Sequence, residues 1–272
     1  MGSILFPVLL VAGIGLVAGL GLAIASVVMA VPVDEKAEKI RECLPGANCG
    51  ACGFSGCDGY AAALSKGETT NTALCAPGGA DAAAAIAEIT GLAVSEAKPM
   101  TAVVHCRGNR QAAVDKMHYA GIESCRMAVQ VFGGPKACAS GCVGFGDCVR
   151  ECPFDAISIC DGVARINPDA CHACKKCVAV CPKHLISIVP KDAGIPAVLC
   201  MNHEKGALTR KQCKSGCIGC MKCTKNCETA AISVINYCAE VDADKCTACG
   251  KCAAGCPVQC IHIVGGKAVI TM

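Results

Sequence analysis

CHACKKCVAVCP (171–182) and CTACGKCAAGCP (246–257) share the spacing C-x2-C-x2-C-x3-C-P. In such a run three cysteines ligate one cubane iron–sulfur cluster and the fourth ligates the neighbouring one. Zinc usually pairs two C-x-x-C knuckles into a single tetrahedron. A fourth cysteine this close to the other three, followed by Pro182 or Pro257, suits ligation crossed between two clusters instead. Each run belongs to a longer repeat. Cys138, Cys142, Cys148, Cys152, Cys171, Cys174, Cys177 and Cys181 recur seventy-five positions later at Cys213, Cys217, Cys223, Cys227, Cys246, Cys249, Cys252 and Cys256. Between the two cysteine runs of each repeat lie short apolar strands joined by a turn, AISICDGVARIN (156–167) and AISVINYCAEVD (231–242).

Each repeat therefore reads as a ferredoxin-like unit with two [4Fe–4S] clusters. Crossed ligation assigns Cys152, Cys171, Cys174 and Cys177 to one cluster, and Cys138, Cys142, Cys148 and Cys181 to its partner. In the second repeat Cys227, Cys246, Cys249 and Cys252 share one cluster, and Cys217, Cys220, Cys223 and Cys256 the other. Two positions depart from the pattern. Phe145 stands where the second repeat has Cys220, so Cys138 is expected to supply the missing ligand, while Cys213 and Cys220 compete for one place. Glu228 replaces the proline found at 153, 182 and 257, which leaves its cluster more exposed.

Upstream, CGACGFSGC (49–57) has the spacing C-x2-C-x4-C, followed after seventeen residues by Cys75 in CAPGG. Glycine beside each cysteine lets the backbone curl and aim amide N–H groups at sulfur. No second C-x-x-C knuckle is present for zinc, so Cys49, Cys52, Cys57 and Cys75 read as the ligands of a fifth [4Fe–4S] cluster. DEKAEKIREC (34–43) predicts a short helix before this motif, and Asp81–Leu92 an alanine-rich one after it, closed by Gly91.

Cysteine accounts for 28 of 272 residues, against five Phe, three Tyr and no Trp. The large side chains that normally fill a core are scarce, and thiolate-bound clusters contribute folding energy in their place. A disulfide-rich ectodomain would not group its cysteines this way. From Met1 to Val33 there is no charged side chain; Pro7 to Val31 as a helix would reach roughly 37 Å, enough for one transmembrane span. A signal peptide would need a basic stretch before a shorter apolar core. Lys36, Lys39 and Arg41 follow the span, so the positive-inside rule places the bulk of the chain in the cytoplasm, where thiols stay reduced. Within the span, GIGLVA (13–18) matches a dinucleotide fingerprint, but an unbroken apolar run has no strand–turn–helix unit to support one. Gly15 and Gly19 form a G-x-x-x-G that suits close contact with another membrane helix.

From His105 onward the chain holds 20 Lys and Arg against 13 Asp and Glu, a net +7, whereas residues 34–104 hold 5 against 9, a net −4. The six histidines are scattered and no nucleophile–base pair is recognisable, so no catalytic residue is assigned. Eight cysteines remain outside the five clusters. Cys43, Cys160, Cys238 and Cys260 read as ordinary thiols. Cys125 and Cys200 stand seventy-five apart, AVVHC (102–106) and PAVLC (196–200) look like one strand ending, and Cys213 is freed if Cys220 is a ligand. A sixth metal centre at Cys106, Cys125, Cys200 and Cys213 is the resulting expectation.

An uncharged anchor, the C-x2-C-x4-C…CAPGG module and two ferredoxin-like pairs, in this order, resemble the B subunit of the Rnf complex, a membrane-bound ferredoxin:NAD oxidoreductase that couples electron flow to ion pumping. The likeness covers essentially the whole chain. It implies an α+β protein with a transmembrane anchor over 1–33, an N-terminal [4Fe–4S] module over 34–98, a connecting segment over 99–135, and tandem 2[4Fe–4S] ferredoxin-like domains over 136–195 and 196–272. It also implies electrons taken from reduced ferredoxin and passed to integral membrane and flavin-bearing subunits, with hydride transfer elsewhere and no nucleic-acid partner. A polyferredoxin serving a heterodisulfide reductase or hydrogenase, and a structural zinc protein, are the competing readings.

Overall fold

The computed structural model describes residues 2–28, 34–96, 98–191 and 193–264. Helix α1 (Gly2–Val28) carries the apolar run; Val8–Ser26 has a mean hydropathy of 2.6 and none of it is buried within the protein. At 1.5 Å per residue those nineteen residues reach about 28 Å, the thickness of a hydrocarbon layer. The helix is thus long and apolar enough to cross a membrane.

Three helices form the next unit: α2 (Glu35–Glu42), α3 (Cys57–Ser65) and α4 (Gly79–Thr90). Asp34 starts α2 by accepting hydrogen bonds from the amides of Lys36 (3.1 Å) and Ala37 (3.2 Å). Gly91, with φ +75°, ends α4 in the left-handed conformation that glycine adopts without strain. The three helices close on Ile40, Tyr60, Leu64 and Ile86. Tyr60, whose hydroxyl donates to the Asn71 carbonyl at 2.8 Å, is the one large aromatic fully buried among the described residues.

The remainder is built twice. In the first repeat β1 (Met100–Val104) pairs antiparallel with β4 (Ile186–Pro190), and β2 (Ile157–Cys160) with β3 (Val163–Ile166). In the second, β5 (Pro196–Val198) pairs with β8 (Ile261–Ile263), and β6 (Ile232–Ile235) with β7 (Cys238–Val241). Both hairpins turn on two residues of positive φ, Asp161–Gly162 and Asn236–Tyr237, as the twist of tight hairpins requires. β1 lies in the segment expected to be a connection. Its pairing with β4, Ala102 opposite Ile188, makes it the partner that β8 finds in β5, and extends the first ferredoxin-like unit back to residue 100. The signal was present in the likeness of AVVHC to PAVLC.

Six short helices complete the repeats: α5 (Cys125–Gln130), α6 (Asp147–Arg150), α7 (Lys176–Val180), α8 (Gly206–Gln212), α9 (Lys222–Lys225) and α10 (Lys251–Ala254). Each repeat has its own small core, in which Ile157, Val163 and Ile186 in the first, and Ile232, Ala239 and Ile261 in the second, pack among cysteines. Val103 meets Ala197 and Leu199 where the repeats touch. His105 ties them further: its Nδ1–H donates to the Val198 carbonyl (2.7 Å), and Nε2 meets the Ser187 hydroxyl (2.6 Å).

Candidate metal centres

Cys49, Cys52, Cys57 and Cys75 face one another around the start of α3. Burial pushes the Cys75 thiol up, and the sulfurs of Cys57, Cys49 and Cys52 add to the effect, while the Gly78 amide pulls it back. A Cβ on Gly78 would sit 2.6 Å from that of Ala82 and 3.2 Å from the Cys75 sulfur, which explains the glycine of CAPGG. The Cys57 amide donates to Asn48 Oδ1 at 2.9 Å and fixes the loop that carries Cys49 and Cys52.

Three hollows in the repeats are each lined by four cysteines. Cys152, Cys171, Cys174 and Cys177 line one hollow, in which His172 lies against Phe154 with ring centroids 4.4 Å apart. Burial, then Cys171, Cys174 and Cys152, push the Cys177 thiol up to about 12.

The second hollow is lined by Cys125, Cys142, Cys148 and Cys181, and the third by Cys106, Cys138, Cys200 and Cys213. The lining differs from the expected grouping in one exchange: Cys125 and Cys138 change places. Burial, then Cys142, Cys125 and Cys181, raise Cys148 to about 12. Cys138 is raised to about 11, by burial and then by Cys106, Cys200 and Cys213. The physical reason lies in α5. Phe145 occupies the place of Cys220 and stacks on Tyr119 (5.3 Å), and α5 delivers Cys125 to the hollow beside it. No repeat in the sequence marks that delivery.

Asp147, at the start of α6, fixes α5. Its carboxylate accepts from the amides of Cys125 and Arg126 and from the Ser124 hydroxyl, each at 3.0 Å, and pairs with Arg150. Burial acts to raise its carboxyl, yet these donors hold it below the usual range. Hydrogen bonds to a buried charge are worth about 1.5–3 kcal/mol each. Asp147→Ala is therefore expected to loosen α5 and to release roughly four of the bound irons faster than the rest when the anaerobic protein is challenged with a chelator. Uniform release from all centres would contradict this.

The third hollow is shared by the repeats in equal parts. Cys138 and Cys213 are seventy-five residues apart. Cys106 accepts hydrogen bonds from the amides of Gly108 (3.4 Å) and Cys142 (3.3 Å); Cys200 accepts from those of Asn202 (3.5 Å) and Cys217 (3.2 Å). The two sets are equivalent, so the four sulfurs are related by an approximate two-fold rotation. Amide donors to sulfur stabilise thiolates and are characteristic of iron–sulfur ligation.

In the second repeat Cys223 is raised to about 11, by burial and then by Cys217 and Cys220. This places Cys220 with the inner group, and Cys213 in the shared hollow. Burial, then Cys246 and Cys249, likewise raise Cys252. Cys220 and Cys249 are exposed, and Glu228, in place of proline, pairs with Lys251. Cys43 and Cys160 fit the reading as ordinary thiols, half-buried and exposed. Cys238 and Cys260 are buried as read, but beside ligands. The Cys238 thiol donates to the Cys200 carbonyl (3.3 Å), and Cys260 lies 3.7 Å from Cys256. Interaction with the neighbouring Cys238 and Cys260 thiols, which outweighs burial, draws the Cys217 thiol down toward the thiolate.

Among the described residues no three His, Cys, Asp or Glu side chains close on a single ion. Thiolates on one zinc lie about 2.3 Å from a common point; among the described residues these cysteines do not converge on one. Neighbouring groups lie near one another. Cys49 acts on Cys174, and Lys175 Nζ donates to the Ala51 carbonyl at 3.3 Å. Cys177 acts on Cys148. The amides of Cys142 and Cys217 bridge to the shared group, and Cys217, Cys223, Cys227, Cys252 and Cys256 line one core.

Comparison with known proteins agrees with this geometry. The family model for an Fe-S cluster matches residues 44–77, and the 4Fe-4S binding domain matches 164–187 and 239–262. The B subunit of the Na(+)-translocating ferredoxin:NAD(+) oxidoreductase complex of Acetobacterium woodii is 43% identical over 96% of this chain and 78% of its own length. The B subunit of the ion-translocating oxidoreductase complex of Methanosarcina acetivorans is 38% identical over 97% of this chain and all of its own. The B subunit of the proton-translocating ferredoxin:NAD(+) oxidoreductase complex of Clostridium ljungdahlii is 38% identical over 97% and 94%. With an apolar N-terminal helix, an Fe-S module and two 4Fe-4S regions in common with that description, the chain belongs to the B subunits of ion-translocating oxidoreductase complexes, as an iron–sulfur electron-transfer subunit.

Proposed function

We propose that the protein relays electrons from reduced ferredoxin along one unbroken line of six [4Fe–4S] centres to membrane and flavin-bearing subunits of its complex. The observation that carries this reading is the closeness of successive cysteine groups, which share cores within each repeat and meet at the Cys106 and Cys200 sulfurs. In order from the anchor, the ligands are Cys49, Cys52, Cys57 and Cys75; Cys152, Cys171, Cys174 and Cys177; Cys125, Cys142, Cys148 and Cys181; Cys106, Cys138, Cys200 and Cys213; Cys217, Cys220, Cys223 and Cys256; and Cys227, Cys246, Cys249 and Cys252. A [4Fe–4S] cluster supplies one-electron transfer at low potential. The protein contributes the thiolates, the amide donors to sulfur and a shell that excludes water. The shared group joins what would otherwise be two separate pairs.

Electrons enter at the second repeat, where Cys220 and Cys249 are exposed and the charge is positive, and leave from the module beside the anchor. The soluble part faces the cytoplasm, with Lys36, Lys39 and Arg41 next to the membrane. Anaerobic stopped-flow mixing with an acidic reduced ferredoxin tests this. Reduction of the wild type is expected to slow about tenfold or more from low to high salt, as steered association does. Cys52→Ala is expected to keep that first phase and to stop turnover of the assembled complex. A rate indifferent to salt, or full turnover in the variant, would overturn the reading.

A further inference from the structure

Lys136 is a cation in an unusual place. It is 7% exposed, and its Nζ donates to the carbonyls of Gly108 (2.7 Å) and Gly162 (2.8 Å). Among the described residues it makes no ion pair; the five pairs in the protein involve other side chains. Burying an ammonium with no anion beside it is strongly unfavourable. Yet Lys136 lines the shared hollow with Cys106, Cys138, Cys200 and Cys213, and the charged side chains around that hollow, Arg107 and Lys136, are both positive, with no carboxylate among its lining residues.

The second repeat does not reproduce this arrangement. Lys211 is the counterpart of Lys136, seventy-five residues later, and it is exposed. Asn202 stands where the first repeat has Gly108. It is 2% exposed, and its Nδ2 donates to Gln212 Oε1 (3.1 Å) and to the Cys138 sulfur (3.5 Å). The pseudo-symmetric hollow thus receives a full positive charge from one side and an amide from the other.

We propose that Lys136 is the buried counter-charge of the shared centre and sets its midpoint potential. This rests on the six-centre reading above. A cubane held by four thiolates is anionic, and it gains one further negative charge when it accepts an electron from a neighbouring centre, which is oxidised by the same one electron. An ammonium fixed beside it favours the reduced form over the oxidised one and raises the potential. The charge makes the middle of the line a resting place for the electron.

The test is a potentiometric titration of the full chain, purified anaerobically and followed by EPR, with iron counted in each sample. In Lys136→Met one midpoint is expected to fall so that the ratio of reduced to oxidised centre at fixed potential drops at least tenfold, which is 59 mV for a one-electron couple. Lys136→Arg is expected to restore the wild-type values, and Lys211→Met to leave them unchanged. Selective iron loss in Lys136→Met with retention in Lys136→Arg would also support a counter-charge. Unshifted midpoints in an iron-replete Lys136→Met, or iron loss in both variants, would overturn it, since the second pattern reports packing. A wild-type iron count of about 20 rather than 24, at four per cluster, fails the six-centre reading and is distinct from either result.

Discussion

Changing Cys125 and Cys138 together to Ala is expected to remove about eight iron atoms per chain, whereas changing Cys106 and Cys138 together removes about four, by four irons per cubane. Residues of one cluster fail as a unit and residues of two clusters fail independently, so the double variants separate the groupings. If Cys125 belonged with Cys106, and Cys138 with Cys142, as their positions in the repeat suggest, the second pair would cost eight. Iron analysis of anaerobic preparations decides between them. The loss of the shared centre in Cys138→Ala should also cut turnover of the complex by orders of magnitude while the remaining clusters stay reducible, because no other group spans the two repeats.

Stripping all iron is expected to unfold residues 98–264, though not α1. Their four sheets have two strands each, of three to five residues, and such sheets are marginal without further support. Structural metals contribute about 10–16 kcal/mol in small zinc domains, and the cores here are arranged around sulfur in the same manner. The first repeat gives the apo form a pH signature. Burial raises the Cys148 and Cys177 thiols from 9.0 to about 12. A thiol raised on folding stabilises the fold below its unfolded value, and that contribution is lost as pH climbs toward the folded one. Residual apo structure should therefore fade between about pH 9 and 12. Chelation under mild oxidation, re-reduction of the thiols and hydrogen exchange would show it; protection equal to the iron-replete protein would refute the expectation.

Much of this was legible in spacing. The C-x2-C-x2-C-x3-C-P runs, the offset of seventy-five and the hairpins between Ile157 and Ile166 and between Ile232 and Val241 correspond to observed elements because the ligands of a cubane must be close in sequence to be positioned by short loops. The helix over 34–43 appeared through its Asp34 cap, and that over 81–92 through Gly91. What spacing did not reveal was contributed by single residues from elsewhere. Cys125 arrives on a helix oriented by the Asp147 carboxylate, twenty-two residues later, and β1 finds its partner across eighty residues. Periodicity registers neither, since each depends on the folded path between distant points. Cys238 and Cys260 looked ordinary because a thiol that donates to a ligand has the same sequence signature as one that merely fills space.

The equivalence of Cys106 and Cys138 with Cys200 and Cys213 has a consequence for how such a hollow can be assembled. A protein containing a single repeat presents half of a coordination shell on one face, and the operation that completes it brings up a second copy of that same face. The shared hollow therefore has the self-complementary form of an isologous dimer contact, built inside one chain. Within one chain the two halves need not be identical, and here one turns Lys136 inward while the other supplies the Asn202 amide.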